Sequence, residues 1–229
     1  MKTYIVSAAY NAEKTIGKVI DDLHKHKYNN IIVVNDGSKD NTEKIALSKG
    51  VVVLNHIINR GQGAALRTGN EYALRHGADI IVHFDADGQM MAKDIKDMIA
   101  PIENKEVDVT IGSRFLGKEA IDMPKSKKLT LFLGKLFLKL FYGVNLTDSQ
   151  CGFRALSRKA AERIEIKEDR AEHASEILIQ IFKRKIKYKE MPVTIKYTEF
   201  SKKYTQHGKF SLLSGIKIAL RLILKKLLK

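Results

Sequence analysis

Two aspartates stand one residue apart, directly after an apolar run. Asp85 and Asp87 follow residues 81–84, and Gly88 and Gln89 come next. At the end of a strand, side chains at positions i and i+2 point to the same face. Carboxylates with this spacing can bind one divalent cation, and Gln89 can add a further oxygen ligand. A strand that ends in an ordinary polar turn has the same composition, so the motif alone leaves both interpretations open.

The surrounding chain predicts the elements that position this motif. Apolar, β-prone runs alternate with segments of helical spacing. The predicted strands cover residues 2–8, 31–34, 51–54, 80–84 and 107–111. The predicted helices cover residues 13–26, from 40 or 41 to 46, from the 59–63 loop to 74, and 91–102. This alternation is typical of a mostly parallel sheet with helical crossovers.

Polar residues or glycines follow the predicted strands at the point where each strand ends. They are Tyr10, Asp36, Gly61, Asp85 and Arg114. In parallel α/β sheets, ligands bind beyond the carboxyl ends of the strands. Polar loops are common in such proteins, which explains any one of these residues. Their succession favours a binding site at this edge of the sheet.

Six stretches of the chain resemble, in the same order, the motifs of one enzyme family. They are residues 5–16, 33–42, 59–66, 84–89, 112–114 and 147–154. Through them, residues 1–200 resemble the family 2 glycosyltransferases, and most of all the dolichyl-phosphate sugar synthases and undecaprenyl-phosphate sugar transferases within that family. The resemblance implies the GT-A fold, a Rossmann-like α/β fold whose mostly parallel sheet is flanked by helices, with amphipathic helices near the C-terminus.

The resemblance also implies a division of the chain. Residues 1–210 would form the GT-A glycosyltransferase domain. Its nucleotide-sugar-binding half would comprise residues 1–115 and its acceptor-binding half residues 116–210. Residues 211–229 would form a basic amphipathic C-terminal helix.

A nucleotide-sugar site is implied by the same motifs. Mg²⁺ or Mn²⁺ would bind Asp85, Asp87 and Gln89 and offset the charge of the departing nucleoside diphosphate. Many relatives carry proline and glutamate where this chain has Ala8 and Ala12, and some carry lysine in place of Gln62. These departures leave UDP-sugar and GDP-sugar donors both open. The implied nucleotide-binding residues are Ala8, Tyr10, Asn11, Asp36, Gly37, Gln62 and Asp85.

Four residues are candidates for catalysis: Asp87, Asp148, Arg114 and Arg154. The two arginines would contact phosphate, because a guanidinium binds phosphate oxygens bidentately. Exposed surface arginines are the alternative. Asp148 would act as general base toward a hydroxyl acceptor, or would position an acceptor that is already anionic. A helix-capping or turn aspartate is the alternative for this residue.

The excess positive charge of the chain, +15 overall, lies in its second half. Residues 1–123 carry 16 Lys and Arg against 17 Asp and Glu, whereas residues 124–229 carry 25 against 9. A basic half can meet nucleic acid, an anionic membrane or a phosphorylated substrate. The aromatic content of 7%, the absence of tryptophan and the lack of a recognisable motif argue against nucleic acid.

The basic half contains segments suited to a lipid acceptor. Residues 129–142 predict an amphipathic helix with a basic polar side, which would lie in a membrane interface or pack on the sheet. Residues 214–229 predict a second such helix, whose lysines favour lying on a bilayer over crossing it. The loop at 200–209 resembles a mobile acceptor loop. Its possible phosphate contacts are Lys202, Lys203, His207 and Lys209.

The compartment follows from three further features. The single cysteine, Cys151, excludes an internal disulfide and fits a reducing compartment. The N-terminus has no signal-peptide pattern, and no stretch of 18 uncharged apolar residues predicts a membrane span. A helix at 172–183 sets His173 beside Glu172 and Glu176, and such side chains on a helix are more typically solvated or paired than bound to a metal.

Together these features predict a metal-dependent, inverting glycosyltransferase. It would move a sugar from a nucleotide sugar to a polyprenyl phosphate, as a peripheral protein at the cytoplasmic face of the cell membrane or otherwise in the cytoplasm. A glycan or a lipid-linked saccharide is the alternative acceptor. A basic nucleic-acid-binding protein is the remote alternative that charge alone would permit.

Overall fold

The structure is a computed structural model that describes residues 1–117, 120–121 and 125–197. The predicted acceptor loop at 200–209 and the predicted helix at 214–229 lie outside the described residues. No helix in the described part of the chain combines the length and the apolar character that a membrane span needs.

Seven strands form the central sheet: β1 (Thr3–Ala9), β2 (Ile31–Asp36), β3 (Val52–His56), β4 (Ile80–His83), β5 (Val109–Ser113), β7 (Arg154–Ser157) and β8 (Tyr188–Pro192). Their order is β3-β2-β1-β4-β7-β5-β8. All neighbours are parallel except β7, which runs antiparallel to both β4 and β5. β6 (Ala120–Ile121) and β9 (Ile195–Lys196) form a separate parallel pair. The mostly parallel sheet is thus confirmed.

Burial on both faces explains why the central strands read as unbroken apolar runs. Every residue of β2 and β4 is buried. Parallel strands covered by helices on both sides require this composition. The register of the pairs places the carboxyl ends of β1, β2 and β4 at one edge of the sheet. Antiparallel β7 begins at this same edge, so it brings the preceding segment, 148–153, to the end of β4.

Seven helices cover the sheet: α1 (Ile16–Lys25), α2 (Thr42–Ser48), α3 (Gln62–Arg75), α4 (Ile95–Glu103), α5 (Lys125–Tyr142), α6 (Arg158–Arg163) and α7 (His173–Lys183). Apolar side chains of α1 and α4 form one core with one face of the sheet. Those of α3, α5, α6 and α7 form a second core on the other face. The sheet takes strands from both predicted halves of the chain, and the boundaries at 115 and 210 stay predictions.

Candidate active site

A pocket of about 630 Å³ opens at the carboxyl edge of the sheet. The loops after β1, β2, β4 and β5 contribute to it, together with the start of α3 and the segment before α7. The predicted site residues that line it are Ala8, Tyr10, Asn11, Asp36, Gln62, Asp85, Asp87, Gln89 and Arg114. Gly37, Asp148 and Arg154 do not line it.

The two aspartates after β4 lie at the centre of this lining. Asp85 Oδ1 accepts a hydrogen bond from Gln62 Nε2 at 2.8 Å. Asp87 Oδ1 accepts one from the backbone N–H of Gln89 at 2.9 Å. Burial and the neighbouring Asp87 carboxylate raise the pKa of Asp85, and burial raises the pKa of Asp87. Both shifts disfavour the ionised carboxylates when no cation is bound.

This donor set fits a Mg²⁺-type or Mn²⁺-type ion. No group of three or more His, Cys, Asp or Glu side chains in the described ranges is arranged to hold a metal. Such ions often bind through one or two carboxylates and complete their shell with water and substrate phosphates. Two carboxylates and the Gln89 amide oxygen suit that arrangement. Gly152 keeps the site open, because a Cβ there would lie 3.0 Å from Asp85 Oδ2.

Asp36, at the end of β2, organises the glycine-rich loop. Its carboxylate accepts hydrogen bonds from His56 Nδ1 (2.7 Å), Asn59 Nδ2 (2.9 Å) and the backbone N–H groups of Arg60 (3.0 Å) and Gly61 (2.7 Å). Both oxygens are thereby engaged inside the protein. The contact with a nucleobase that the resemblance implies for Asp36 stays a prediction.

The loops after β1 and β2 are held together beside Asp36. Ser38 Oγ accepts from the backbone N–H of Asn11 at 3.0 Å, and Asn11 Oδ1 accepts from the backbone N–H of Lys39 at 2.9 Å. Asn11 has a φ of 49°, a left-handed conformation that asparagine tolerates better than most residues. These contacts fix the wall formed by Tyr10 and Asn11, where the nucleoside is predicted to lie.

The glycines at the start of α3 serve close packing. A Cβ on Gly61 would lie 2.3 Å from Asp169 O, and one on Gly63 would lie 2.0 Å from Glu168 O. No other residue type fits against this backbone. The segment at 166–170 thus packs directly on the start of α3, where Arg67 binds Ile166 O and the Asp169 carboxylate, both at 2.8 Å.

Arg114 and Asp148, predicted separately, form one buried ion pair. Arg114 Nε and Nη2 donate to the two oxygens of Asp148 at 2.6 and 2.7 Å. Their side chains are only 7% and 1% exposed. Burial would lower the pKa of Arg114, but the Asp148 carboxylate outweighs it and raises that pKa. The carboxylate of Asp148 is therefore committed to a guanidinium rather than facing the pocket.

Two residues that sequence reasoning missed hold this pair in place. Glu190 of β8 accepts hydrogen bonds from Thr147 N, Thr147 Oγ1 and Asp148 N at 2.6 to 3.2 Å. The Tyr197 hydroxyl accepts from Arg114 Nη1 at 2.9 Å. No local sequence motif marks Glu190 or Tyr197. Each of their contacts joins residues more than 40 positions apart, so a local pattern does not reveal it. Only the fold brings them together.

Arg154, at the start of β7, lies behind the pocket rather than on its surface. It is 1% exposed, and its Nη2 donates to Ala174 O at 3.0 Å. Its buried Nε has no hydrogen-bond partner among the residues that the structure describes. Burial lowers its pKa to about 10, and nearby Cys151 and Asp85 oppose that shift. The positive charge of Arg154 favours the ionised form of Asp85 and so opposes the rise in the pKa of that carboxyl. A direct phosphate contact by Arg154 stays a prediction.

His173 is buried and lines the pocket, so of the two expectations for its side chain, solvated or paired, the structure shows the paired one. Its Nδ1 lies 2.7 Å from Arg170 O, and burial lowers its pKa to about 4. Glu176 accepts hydrogen bonds from the backbone N–H groups of Lys167 and Glu168, both at 2.9 Å. Arg170 also lines the pocket. The sequence did not indicate that His173 and Arg170 line the pocket, because exposed loops have the same polar composition as this segment.

A second cavity, of about 440 Å³, lies at the opposite edge of the sheet. It is basic, and α4, α6 and α7 all end near it. Cations at helix C-termini offset the partial negative charge of the unpaired carbonyl groups. That role suits Lys105, Arg163 and Lys185. Arg158 instead donates to Leu74 O and Ala78 O, and Lys159 lies 4.0 Å from the Asp108 carboxylate. The basic residues of this cavity are Lys105, Arg158, Lys159, Arg163, Lys185 and Lys187.

The sheet order and the Asp-x-Asp pocket define the class: this is a glycosyltransferase with an α/β nucleotide-sugar-binding fold. Residues 4–165 match the sequence model of glycosyl transferase family 2. The chain therefore belongs to that family.

Known proteins resemble the chain over most of its length. It is 40% identical to an uncharacterised protein of Methanocaldococcus jannaschii, covering 98% of this chain and 92% of that protein. It is 38% identical to the UDP-N-acetylglucosamine–dolichyl-phosphate N-acetylglucosaminyltransferase of Methanococcus voltae, covering 98% and 96%. Glucosyl-3-phosphoglycerate synthase from Mycobacterium tuberculosis, crystallised with Mn²⁺, UDP and phosphoglyceric acid, has a TM-score of 0.68 at 18% identity, covering 83% of this chain and 68% of that one. This last likeness concerns the fold alone.

The buried ion pair leads to a stability prediction. Asp148→Ala leaves the Arg114 guanidinium buried without its partner, which costs about 3–5 kcal/mol of unfolding free energy. Urea denaturation of the purified variant measures this loss. Adding Arg114→Met to Asp148→Ala should recover part of it, because the uncompensated charge is removed. A loss of only about 1 kcal/mol, the value for an exposed pair, would contradict the buried pairing.

Proposed function

We propose that this protein transfers N-acetylglucosamine from UDP-N-acetylglucosamine to a polyprenyl phosphate, with inversion at the anomeric carbon and with Mg²⁺ or Mn²⁺. The Methanococcus voltae relative, similar over nearly its whole length, is named for this donor and for dolichyl phosphate. The pocket geometry supports the acceptor class independently of that name.

The observation that carries the proposal concerns the described carboxylates at the pocket: outside the Asp85–Asp87 motif, Asp36 and Asp148 are already bound within the protein. Among described residues, the carboxylates that line it belong to Asp36, Asp85 and Asp87. Asp36 accepts four protein hydrogen bonds, and the other two form the diphosphate motif. Asp148 is paired with Arg114. A hydroxyl acceptor needs a general base, whereas an ionised phosphate does not.

Among the described lining residues, His173 is the one histidine that could take up a proton. Its pKa of about 4 leaves it neutral near pH 7, but makes it a weak base. A sugar hydroxyl would therefore be poorly activated here. This favours a polyprenyl phosphate over the alternative acceptors, a glycan or a lipid-linked saccharide.

The proposed reaction is a single displacement. An oxygen of the acceptor phosphate attacks the anomeric carbon and forms the new C–O bond. The bond from that carbon to the diphosphate oxygen breaks, and this oxygen keeps the electron pair. No proton is transferred, and attack from the side opposite the leaving group inverts the configuration. A divalent cation held by Asp85, Asp87 and Gln89 would supply Lewis-acid stabilisation of the leaving diphosphate.

Helix α5 supports a position at a membrane surface. Leu131 and Leu138 are buried within the protein. Phe132, Leu136 and Leu140, spaced four residues apart on another face, are 59%, 40% and 70% exposed. Exposed apolar residues on a helix that also carries lysines favour the interface of an anionic bilayer. We propose that the protein binds the cytoplasmic membrane face peripherally through this face of α5.

The proposed transfer is tested with purified protein, radiolabelled UDP-N-acetylglucosamine, Mn²⁺ and dolichyl phosphate. Wild-type protein should label the lipid. Asp87→Asn should lower the rate at least about 100-fold, because several kcal/mol of cation-dependent charge stabilisation are lost. Asp97→Asn, on the exposed side of α4, is the matched control and should stay near the wild-type rate. Unchanged labelling by Asp87→Asn at saturating Mn²⁺ would refute the metal-dependent mechanism.

The proposed membrane contact is tested by co-sedimentation with anionic liposomes. Leu140→Glu removes an exposed apolar side chain and adds a negative charge, so the bound fraction should fall to about one tenth or less. Leu47→Glu, at a site 55% exposed on α2, makes the same chemical change elsewhere and should leave binding intact. Equal binding by both variants would exclude this face of α5 from the contact.

A further inference from the structure

The positive charge that faces the pocket is scarce. Among the described residues that line it, only Arg114 and Arg170 are Lys or Arg. Arg114 is neutralised by the bidentate contact with Asp148, at 2.6 and 2.7 Å. Arg170 makes no ion pair with any described residue, and its neighbour Asp169 pairs instead with Arg67 at 2.8 Å. Arg170 is thus the uncompensated cation of the described pocket lining.

Backbone contacts on both sides fix the main chain at Arg170, which is an exposed residue. Asp169 O accepts a hydrogen bond from the backbone N–H of Ala64 at 3.2 Å, which ties the preceding residue to α3. Arg170 O lies 2.7 Å from His173 Nδ1 and accepts from the backbone N–H of His173 at 3.1 Å. A Cβ on Gly61 would lie 2.9 Å from Arg170 Cγ, so the glycine makes room for this side chain.

Gln62, the residue after Gly61, brings no charge to the pocket. Its amide is bound to Asp85 Oδ1 at 2.8 Å. Arg60, on the same loop, does not line the pocket, and its guanidinium lies 3.9 Å from Asp169. The glycine-rich loop therefore leaves a neutral corner beside Asp85, and Arg170 lines the same pocket from the segment that packs on Gly61.

We propose that Arg170 binds a phosphate group of the reaction and supplies the positive charge that the neutral Gln62 does not provide. This inference rests on the proposed function. When the sugar departs, the leaving diphosphate gains one negative charge, and the acceptor brings a phosphate of its own. A guanidinium can bind either through two parallel hydrogen bonds. The shared ligand chemistry is therefore a phosphate oxygen pair at the Gln62–Arg170 corner.

Binding and kinetics of Arg170→Ala test the proposal and distinguish the two phosphates. Loss of a charge-assisted contact should lower the affinity for the phosphate group that Arg170 binds by about 10-fold to 100-fold. If that group is the nucleoside diphosphate, calorimetry shows weaker binding of UDP with Mn²⁺. If it is the acceptor phosphate, UDP binding is unchanged and the KM for dolichyl phosphate rises by the same factor.

The controls separate a phosphate contact from a general loss of charge. Arg60→Ala removes the same charge from an arginine 46% exposed nearby and should leave both measurements unchanged. Arg170→Lys should retain more binding than Arg170→Ala, and adding Gln62→Lys to Arg170→Ala should restore part of the loss. Arg170→Ala that matches Arg60→Ala in both measurements would overturn the proposal.

Calorimetry of UDP binding also distinguishes a failure of the Arg170 contact from a failure of the proposed transfer reaction. Wild-type protein that binds UDP with Mn²⁺ but labels no polyprenyl phosphate would refute the proposed acceptor. The effect of Arg170→Ala on UDP binding would then decide alone whether Arg170 contacts the diphosphate, and unchanged binding would overturn the inference.

Discussion

The buried pairing of Arg114 with Asp148 determines what chemistry the pocket can perform. A bidentate contact between side chains 7% and 1% exposed fixes both groups and cancels their charges. Asp148 is then withheld from proton transfer, and Arg114 adds no net charge for binding phosphate. The pocket keeps a pair of carboxylates after β4 and one uncompensated arginine among its described lining residues. Such a site suits phosphate-bearing substrates on both sides of the transferred sugar.

Contacts within the protein hold the loops around the pocket in place. Some of these contacts involve residues to which the family motifs assign ligand binding. Asp36 is saturated by hydrogen bonds from residues 56–61, so it shapes the pocket wall through that loop. Gly61 and Gly63 admit the backbone of residues 168–170, so the glycine-rich loop functions as a packing surface. The start of α3 thereby places Gln62 Nε2 at 2.8 Å from Asp85 Oδ1. Preorganisation of this kind lowers the ordering cost of substrate binding.

Sequence patterns predicted the elements whose signals are local. β1 to β5, α1 to α4 and α7 were predicted to within a few residues, because alternating apolar runs and helical spacing reflect burial directly. β7 and α6 were missed, since a four-residue strand that starts with Arg154 has no recognisable periodicity. The spacing of Asp85 and Asp87 left a cation site and an ordinary turn both open, and the succession of polar strand ends and the family resemblance then favoured the site. The partners of Arg114 and the pocket position of Arg170 were not predictable, because they depend on contacts between segments distant in the sequence.

The central claim is that the acceptor must already be ionised. Asp36 and Asp148 are bound within the protein, and Asp85 and Asp87, the other described carboxylates at the pocket, are proposed to bind the cation. The most direct test offers the enzyme a polyprenyl phosphate and the polyprenol of the same chain length in one reaction with labelled UDP-N-acetylglucosamine and Mn²⁺. The account predicts that label enters only the phosphate. Comparable labelling of the alcohol would show that a base activates a hydroxyl here and would contradict the account.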